Sequence, residues 1–194
     1  PIVTLITYIT YLVFNLFGIK IEYKKTIFTR EEVRHIIKES GETGVLADGE
    51  HKLLHRVFEL NDKFAKEVMV TRDKIVAINA DMGQDDIVRI ITEEGHTRYP
   101  VYRHSIDNVI GIIHSKAIIN MLINNPLFVL EDLMMEPYFV PEDKRISKIL
   151  AEFQQKGLHV AIVKDTQGAV SGLIQIKDIL KVIFGELTEK TIPD

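Results

Sequence analysis

The chain has 194 residues, with 24 basic against 28 acidic side chains, a net charge of −4 and no cysteine. At 46% hydrophobic and 27% charged residues it can bury one or two real cores, which excludes wholesale disorder. The acidic balance argues against a nucleic-acid partner, which would call for Lys and Arg concentrated on one face, and the missing cysteines exclude disulfides and thiolate metal sites.

The first charged residue is Lys20. The apolar stretch 1–19 approaches the roughly 20 residues that span a bilayer. Thr4, Tyr8, Tyr11 and Asn15, however, recur at helical spacing as a weakly polar stripe. Three readings stay open: the end of a membrane domain, an amphipathic helix lying at the interface, or a helix docked on the body of the protein. The stretch lacks the basic leader and small-residue cleavage site of a signal peptide. Lys20, Lys24 and Lys25 suit a cytosolic flank, so a membrane-associated protein with its following domains on the cytosolic side is expected.

Thr29-Arg30-Glu31-Glu32 is a capping box, in which the Thr29 hydroxyl and the Glu32 carboxylate each satisfy a free backbone N–H of the other. It predicts a helix ending at Ser40-Gly41, with the glycine as left-handed cap. Asp48 is expected to cap a second helix through Leu60, with Leu53, Leu54, Val57, Phe58 and Leu60 on one broad face. Residues 20–62 thus read as a helical connector.

From Lys63 the chain repeats itself. Val68-Met69 is answered by Leu133-Met134, and each pair precedes a short extended run, Ile75 to Ile78 and Tyr138 to Val140. A helix closed by glycine follows in each copy, Gln84 to Glu94 before Gly95 and Arg145 to Lys156 before Gly157. Then come strands Tyr99 to Arg103 and His159 to Lys164, a turn, a strand holding Gly111 or Gly172, and a last helix, Ser115 to Asn124 or Ile176 to Phe184. The offset drifts from 65 at Met69/Met134 through 62 at Gly95/Gly157 to 61 at Gly111/Gly172, as short loop indels in a duplicated unit produce. The fold class is α/β (α+β): two βαββα units, 63–126 and 127–190, before a tail at 191–194. Runs such as Val160-Ala161-Ile162-Val163 read as buried strands. Each unit is too small to hide both sheet faces alone, so the pair should share a core, with clefts between the units where small ligands commonly sit.

Several runs together carry a resemblance: Glu31-Glu32-Val33-Arg34 with Glu39-Ser40-Gly41-Glu42 and Gly44-Val45-Leu46, Glu67-Val68-Met69 with Arg72, Gly95-His96-Thr97-Arg98-Tyr99-Pro100-Val101-Tyr102, Asp107-Asn108-Val109-Ile110-Gly111, and Gly172-Leu173-Ile174 with Lys177-Asp178-Ile179-Leu180 and Gly185-Glu186-Leu187. In this order and spacing the chain resembles the CorC/HlyC and cyclin M family over nearly its whole length. The resemblance implies tandem CBS repeats joined to a transmembrane domain and a role in magnesium or other divalent-cation efflux. It implies residues 1–19 as the end of the protein's own membrane domain, and a homodimer formed through the repeats. It implies no enzymatic activity.

The resemblance also implies an adenosine nucleotide, AMP or ATP, with or without magnesium, bound between the repeats. In that pattern a threonine three residues after a strand glycine meets the phosphate, and an aspartate six residues after it takes the ribose hydroxyls. The phosphate would lie at a helix N-terminus, where N–H groups are free. In the second repeat Gly172 is followed by Gln175 and Asp178; in the first, Gly111 is followed by His114 and Ala117. Val70 stands where relatives often carry a further threonine. At most one site is therefore expected, with a ribose anchor and a depleted phosphate side. Its candidate contacts are Thr97, Tyr99, Pro100, Val101, His159, Gln175 and Asp178. The alternative is a ligand-free structural dimerisation module.

Plainer roles compete. Asp178 in a first helical turn also favours the helix dipole, Tyr99-Pro100-Val101 can be a core strand, and His114 suits a hydrogen-bonded structural histidine. His51 and His55 stand one helical turn apart but lack the glutamate of the zinc-protease pattern, so no metal site is expected. No phosphate loop, nucleophile elbow or dinucleotide fingerprint is present.

Overall fold

The structure is a computed structural model that describes Tyr8 and residues 28–44, 46–124 and 129–185. Apart from Tyr8, the apolar stretch 1–19 lies outside the described residues. Among the described residues no helix is long and apolar enough to cross a membrane.

Helix α1 (Arg30–Glu42) opens with the expected capping box: Glu32 N–H donates to Thr29 Oγ1 at 3.3 Å and Thr29 N–H to Glu32 Oε2 at 2.7 Å. It runs through Gly41 rather than stopping there, and Gly44 takes the left-handed conformation at φ 71°. Gly41 is needed for contact instead, since a Cβ there would stand 2.6 Å from the His51 ring on α2 (Asp48–Leu60). Asp48 is the first residue of α2 rather than its cap; the cap is Ala47, whose N–H donates to Glu50 Oε2 at 3.0 Å. The broad apolar face of α2 is graded: Leu60 is buried, while Leu53 and Val57 are exposed.

A short helix α3 (Ala65–Val68) leads into strand β1 (Val70–Thr71), and β2 (Ile78–Asn79) follows. Helix α4 (Gln84–Glu94) ends at Gly95 with φ 64°. Strands β3 (Arg98–Arg103) and β4 (Ser105–His114) form a hairpin before α5 (Ser115–Asn124). The second copy repeats the order with β5 (Met134–Met135), β6 (Phe139–Pro141), α6 (Ile146–Lys156), β7 (Val160–Lys164), β8 (Val170–Gln175) and α7 (Ile176–Phe184). Arg145 caps α6 instead of beginning it, and Gly157 ends that helix at φ 66°.

The sheets are not self-contained. Their orders are β2-β3-β4-β5 and β1-β8-β7-β6, so each repeat lends its first strand to the sheet of the other. β1 pairs antiparallel with β8 and β5 with β4, whereas β2/β3 and β6/β7 are parallel. The exchange explains the strand glycines. A Cβ on Gly172 would lie 2.4 Å from Met69 Sδ and 2.7 Å from the Val70 carbonyl oxygen; one on Gly111 would lie 2.6 Å from Met134 Sδ. The methionine of one repeat thus packs where the other repeat has no side chain.

Strand alternation divides the core into three layers. Tyr99, Val101 and Ile113 face Ile87, Ile91 and Ile118 in the first repeat. Ala161, Val163 and Ile174 face Ile146, Ile149, Phe153 and Ile179 in the second, and Leu60 of the connector joins them. Val109, Ile112, Val160, Ile162, Val170 and Leu173 fill the space between the sheets. The connector is tied to the second repeat as well: Asp62 meets Arg34, Arg30 at 3.4 Å and Arg145 at 3.9 Å. The hydrogen bond from Arg34, with the charges of Arg34, Arg30 and Arg145, holds the Asp62 carboxyl below its ordinary range.

Candidate functional site: two strand-to-helix junctions and the connector groove

The two repeats present the same junction with different chemistry. In the first, Ser115 N–H, opening α5, donates to the Thr97 carbonyl at 2.9 Å; in the second, Ile176 N–H, opening α7, donates to the His159 carbonyl at 3.0 Å. Each bond ties a helix start to the residue ahead of its neighbouring strand. The side chains of Thr97 and His159 are exposed.

At the second junction Gln175 is the N-cap of α7, and its N–H donates to Asp178 Oδ2 at 3.0 Å. Asp178 is the one polar or charged residue among the buried described residues, at 8% exposure. Its carboxylate satisfies a helix-start donor and complements the dipole of α7. It also borders a groove of about 430 Å³ that runs along α7 to Gly185, lined by Arg56 and Glu59 of the connector, by Lys63 and Glu67 at the start of the first repeat, and by Lys181.

At the first junction the matching position is Ala117, and the chemistry is cationic. Lys116 N–H donates to His114 Nδ1 at 3.1 Å, which requires that nitrogen to be unprotonated. Arg98 lies directly opposite His114 in the β3/β4 ladder. Burial, then the positive charges of Arg98, Lys116 and His159, holds the His114 imidazole below its ordinary range. His159 therefore stands between the junctions: its carbonyl serves α7 and its ring is within electrostatic reach of His114.

The strand candidates divide by face. Tyr99 and Val101 are fully enclosed in the core of the first repeat. Their side chains therefore face the core rather than solvent. Residues two apart on a strand share a face, and here that face is covered by α4 and α5. The Tyr99 hydroxyl accepts from His96 N–H at 2.8 Å and donates to the Ile91 carbonyl at 3.4 Å, and burial pushes its pKa up. Pro100 is buried on the opposite face, paired with Ile112 toward the inter-sheet layer. Thr97, His159, Gln175 and Asp178 are thus the candidates that stand at the two strand-to-helix junctions.

A further polar feature was not singled out from sequence. Arg72 grips Asp107 with both guanidinium nitrogens, one of them at 2.8 Å, and donates to the Val170 carbonyl at 2.7 Å. Val170 N–H in turn donates to Asp107 Oδ1 at 2.9 Å. The Arg72 hydrogen bond, then that from Val170, holds the Asp107 carboxyl far below its ordinary range. Both residues occur in the runs quoted above, but only the strand exchange reveals that they clamp one repeat to the other. His55 Nδ1 lies 3.3 Å from Glu59 and His51 packs on Gly41; among the described residues no three His, Cys, Asp or Glu side chains gather as a metal site.

Residues 65–124 and 130–185 match the CBS domain family. The structure superimposes on the CBS domain of a bacterial CNNM/CorC family Mg2+ transporter in complex with an inhibitor, with a TM-score of 0.77 and 29% identity, over 82% of this chain and 99% of that one. The chain is a CBS pair of the CorC/CNNM family. The CBS pair is 33% identical to the magnesium and cobalt efflux protein CorC of Pasteurella multocida over 83% of this chain and 54% of that protein. It is 32% identical to the Bacillus subtilis protein YrkA over 98% of this chain and 45% of that protein. The chain thus spans about half the length of the curated relatives it matches. Two similar structures hold nucleotides. One is a CBS domain of the bacterial CNNM/CorC family Mg2+ transporter in complex with ATP (TM-score 0.67, 30% identity, covering 71% of this chain and 99% of that chain). The other is a CBS-domain pair with bound AMP from Klebsiella pneumoniae (TM-score 0.55, 32% identity, covering 63% of this chain and 98% of that chain).

Proposed function

We propose that this CBS pair is the cytosolic regulatory part of a membrane-bound divalent-cation transport protein, and that it senses an adenosine nucleotide through the second-repeat junction. The observation that carries the reading is Asp178: a buried carboxylate on the first turn of α7, at the edge of a groove, where the equivalent position of the first repeat is Ala117. A carboxylate so placed can accept both ribose hydroxyls, and the start of α7 offers N–H groups and a positive dipole end to phosphate. The ATP and AMP complexes of similar CBS pairs support the ligand class. The reading is regulatory rather than catalytic. The protein would act as a homodimer attached to its own membrane domain, and nucleotide, with or without magnesium, would bias association of the pair and the set of the connector. Such control requires different affinity for the ligand in two states.

A ligand-free structural role is the competing reading, favoured by Asp178 already serving as a cap and by Val70 and Gln175 standing where hydroxyls are expected. Calorimetric titration with AMP and ATP, each with and without magnesium, separates the two. Asp178→Asn keeps an oxygen for the Gln175 N–H, so it should remain folded and yet lose at least about tenfold in affinity, the equivalent of one charge-assisted hydrogen bond. No saturable binding by the folded wild-type protein would retire the nucleotide reading in favour of the structural one.

A further inference from the structure

The two strands that cross between the repeats are fastened by thioethers. β1 and β5 have two residues each and lie at the edge of a sheet, so ladder bonds alone hold them weakly. Met69, just before β1, packs against the core of the second repeat, and Met134, the first residue of β5, against the core of the first. Both side chains are half-buried. The chain has five methionines and no cysteine, so thioethers are its oxidisable sulfur.

The surroundings of the two sulfurs differ. The residue ahead of the strand glycine is Ser171 beside Met69 and Ile110 beside Met134. Ser171 Oγ lies 3.9 Å from Met69 Sδ, a donor that a sulfoxide oxygen there can accept from. Ile110 offers no donor and packs against the same core as Met134. Met134 also sits so closely on Gly111 that a Cβ there would stand 2.6 Å from Sδ. An oxygen added to Met134 therefore enters a close-packed apolar layer, where an unpaired polar group is costly. The adjoining Met135 is 48% exposed, so solvent reaches this strand.

We propose that Met134 is a site of reversible oxidation by hydrogen peroxide, and that its sulfoxide releases β5 from β4 and loosens one repeat from the other. The sulfur lone pair attacks one peroxide oxygen, and the S–O bond forms as the O–O bond breaks. The proton on the transferred oxygen passes to the departing oxygen, which leaves as water. Sulfur gives up two electrons and the peroxide takes them. The pair thus carries an oxidation-sensitive joint where β5 meets β4 and an oxidation-tolerant one where β1 meets β8.

The test treats the full chain with hydrogen peroxide and locates sulfoxide by peptide mass. Hydrogen exchange is followed at Met134, Met135 and the residues opposite them in β4, Ile113 and Ile112. In the wild type these amides should exchange at least about tenfold faster once Met134 is oxidised, and return to their first rate after treatment with methionine sulfoxide reductases. Met134→Leu keeps the volume but not the sulfur. It should show no acceleration even when the exposed Met82 and Met135 are fully oxidised, while Met69→Leu should respond as the wild type does. Thermal melts establish that both variants are folded, and reversal in the wild type gives a readout independent of them. Met134 that stays reduced while Met82 and Met135 oxidise fully, or acceleration that persists in Met134→Leu, overturns the proposal. Protection by Met69→Leu instead places the sensitive joint at β1 and overturns the assignment to Met134.

Discussion

The two strand-to-helix junctions share a backbone and differ in every polar group that matters. Both open a helix against the carbonyl ahead of the neighbouring strand, and both sit behind a strand glycine that accommodates the other repeat's methionine. Yet one ends in a buried carboxylate beside a groove, and the other in an alanine beneath a cluster of Arg98, His114, Lys116 and His159. Duplication conserves what the exchange of strands needs for packing. It leaves the helix starts free to diverge, because capping and solvent can satisfy those donors in more than one way. The packing similarity therefore says little about ligand, and the junction side chains say most of it.

The comparison can be broken first at the glycines. Gly172→Ala drives a methyl into Met69 and the Val70 carbonyl oxygen, and backbone cannot step aside, so a loss of about 3 kcal/mol is expected. Gly111→Ala meets Met134 Sδ and Cγ, which can rotate away, and Met134 Cβ at 2.8 Å, which only a backbone shift can move, and should cost about 2 kcal/mol. Urea midpoints of the two variants measure the contrast; equal losses would mean that the two exchanged strands are equally constrained.

The clamp between the repeats gives the next effect. With its pKa lowered by Arg72 and by Val170 N–H, Asp107 contributes stability above the ordinary carboxylate range of about 4 and loses it as pH falls toward its folded value. Asp107→Asn should unfold at lower urea at pH 7 and show a shallower further loss on going to pH 3 than wild type. Parallel pH profiles would show that the clamp is energetically silent.

The smallest effect sharpens the difference between the junctions themselves. The lowered pKa of His114 means that its neutral form is favoured in the fold, so its contribution is present above about pH 6.5 and is lost as pH falls through the folded value. His114→Gln, which copies the residue at the second junction, should flatten the stability profile below about pH 6.5 and change little at pH 8. A wild-type profile already flat below that pH would remove His114 from the account.

Local signals carried much of this into view. The capping box at Thr29, the glycines after α4 and α6, and the duplicated order from Lys63 to Phe184 could be read along the chain because caps and left-handed turns are decided within a few residues. The extents of α5 and α7 follow from the same local logic. Asp178 could be named as the distinctive carboxylate because its spacing from Gly172 repeats that of Ala117 from Gly111. Other features depend on contacts between residues far apart in the sequence. That Tyr99 and Val101 turn into a core, that Met69 and Met134 cross to the opposite sheets, that Asp107 clamps Arg72 and Val170, and that Arg56 reaches Gly185 all follow from which strand pairs with which. Pairing is chosen by the burial of whole faces, a sum over both repeats that no short run of residues contains. The sequence by itself determined the units and their chemistry; the exchange of strands between the units, and the connector wall beside Asp178, were decided only when the two repeats closed on one another.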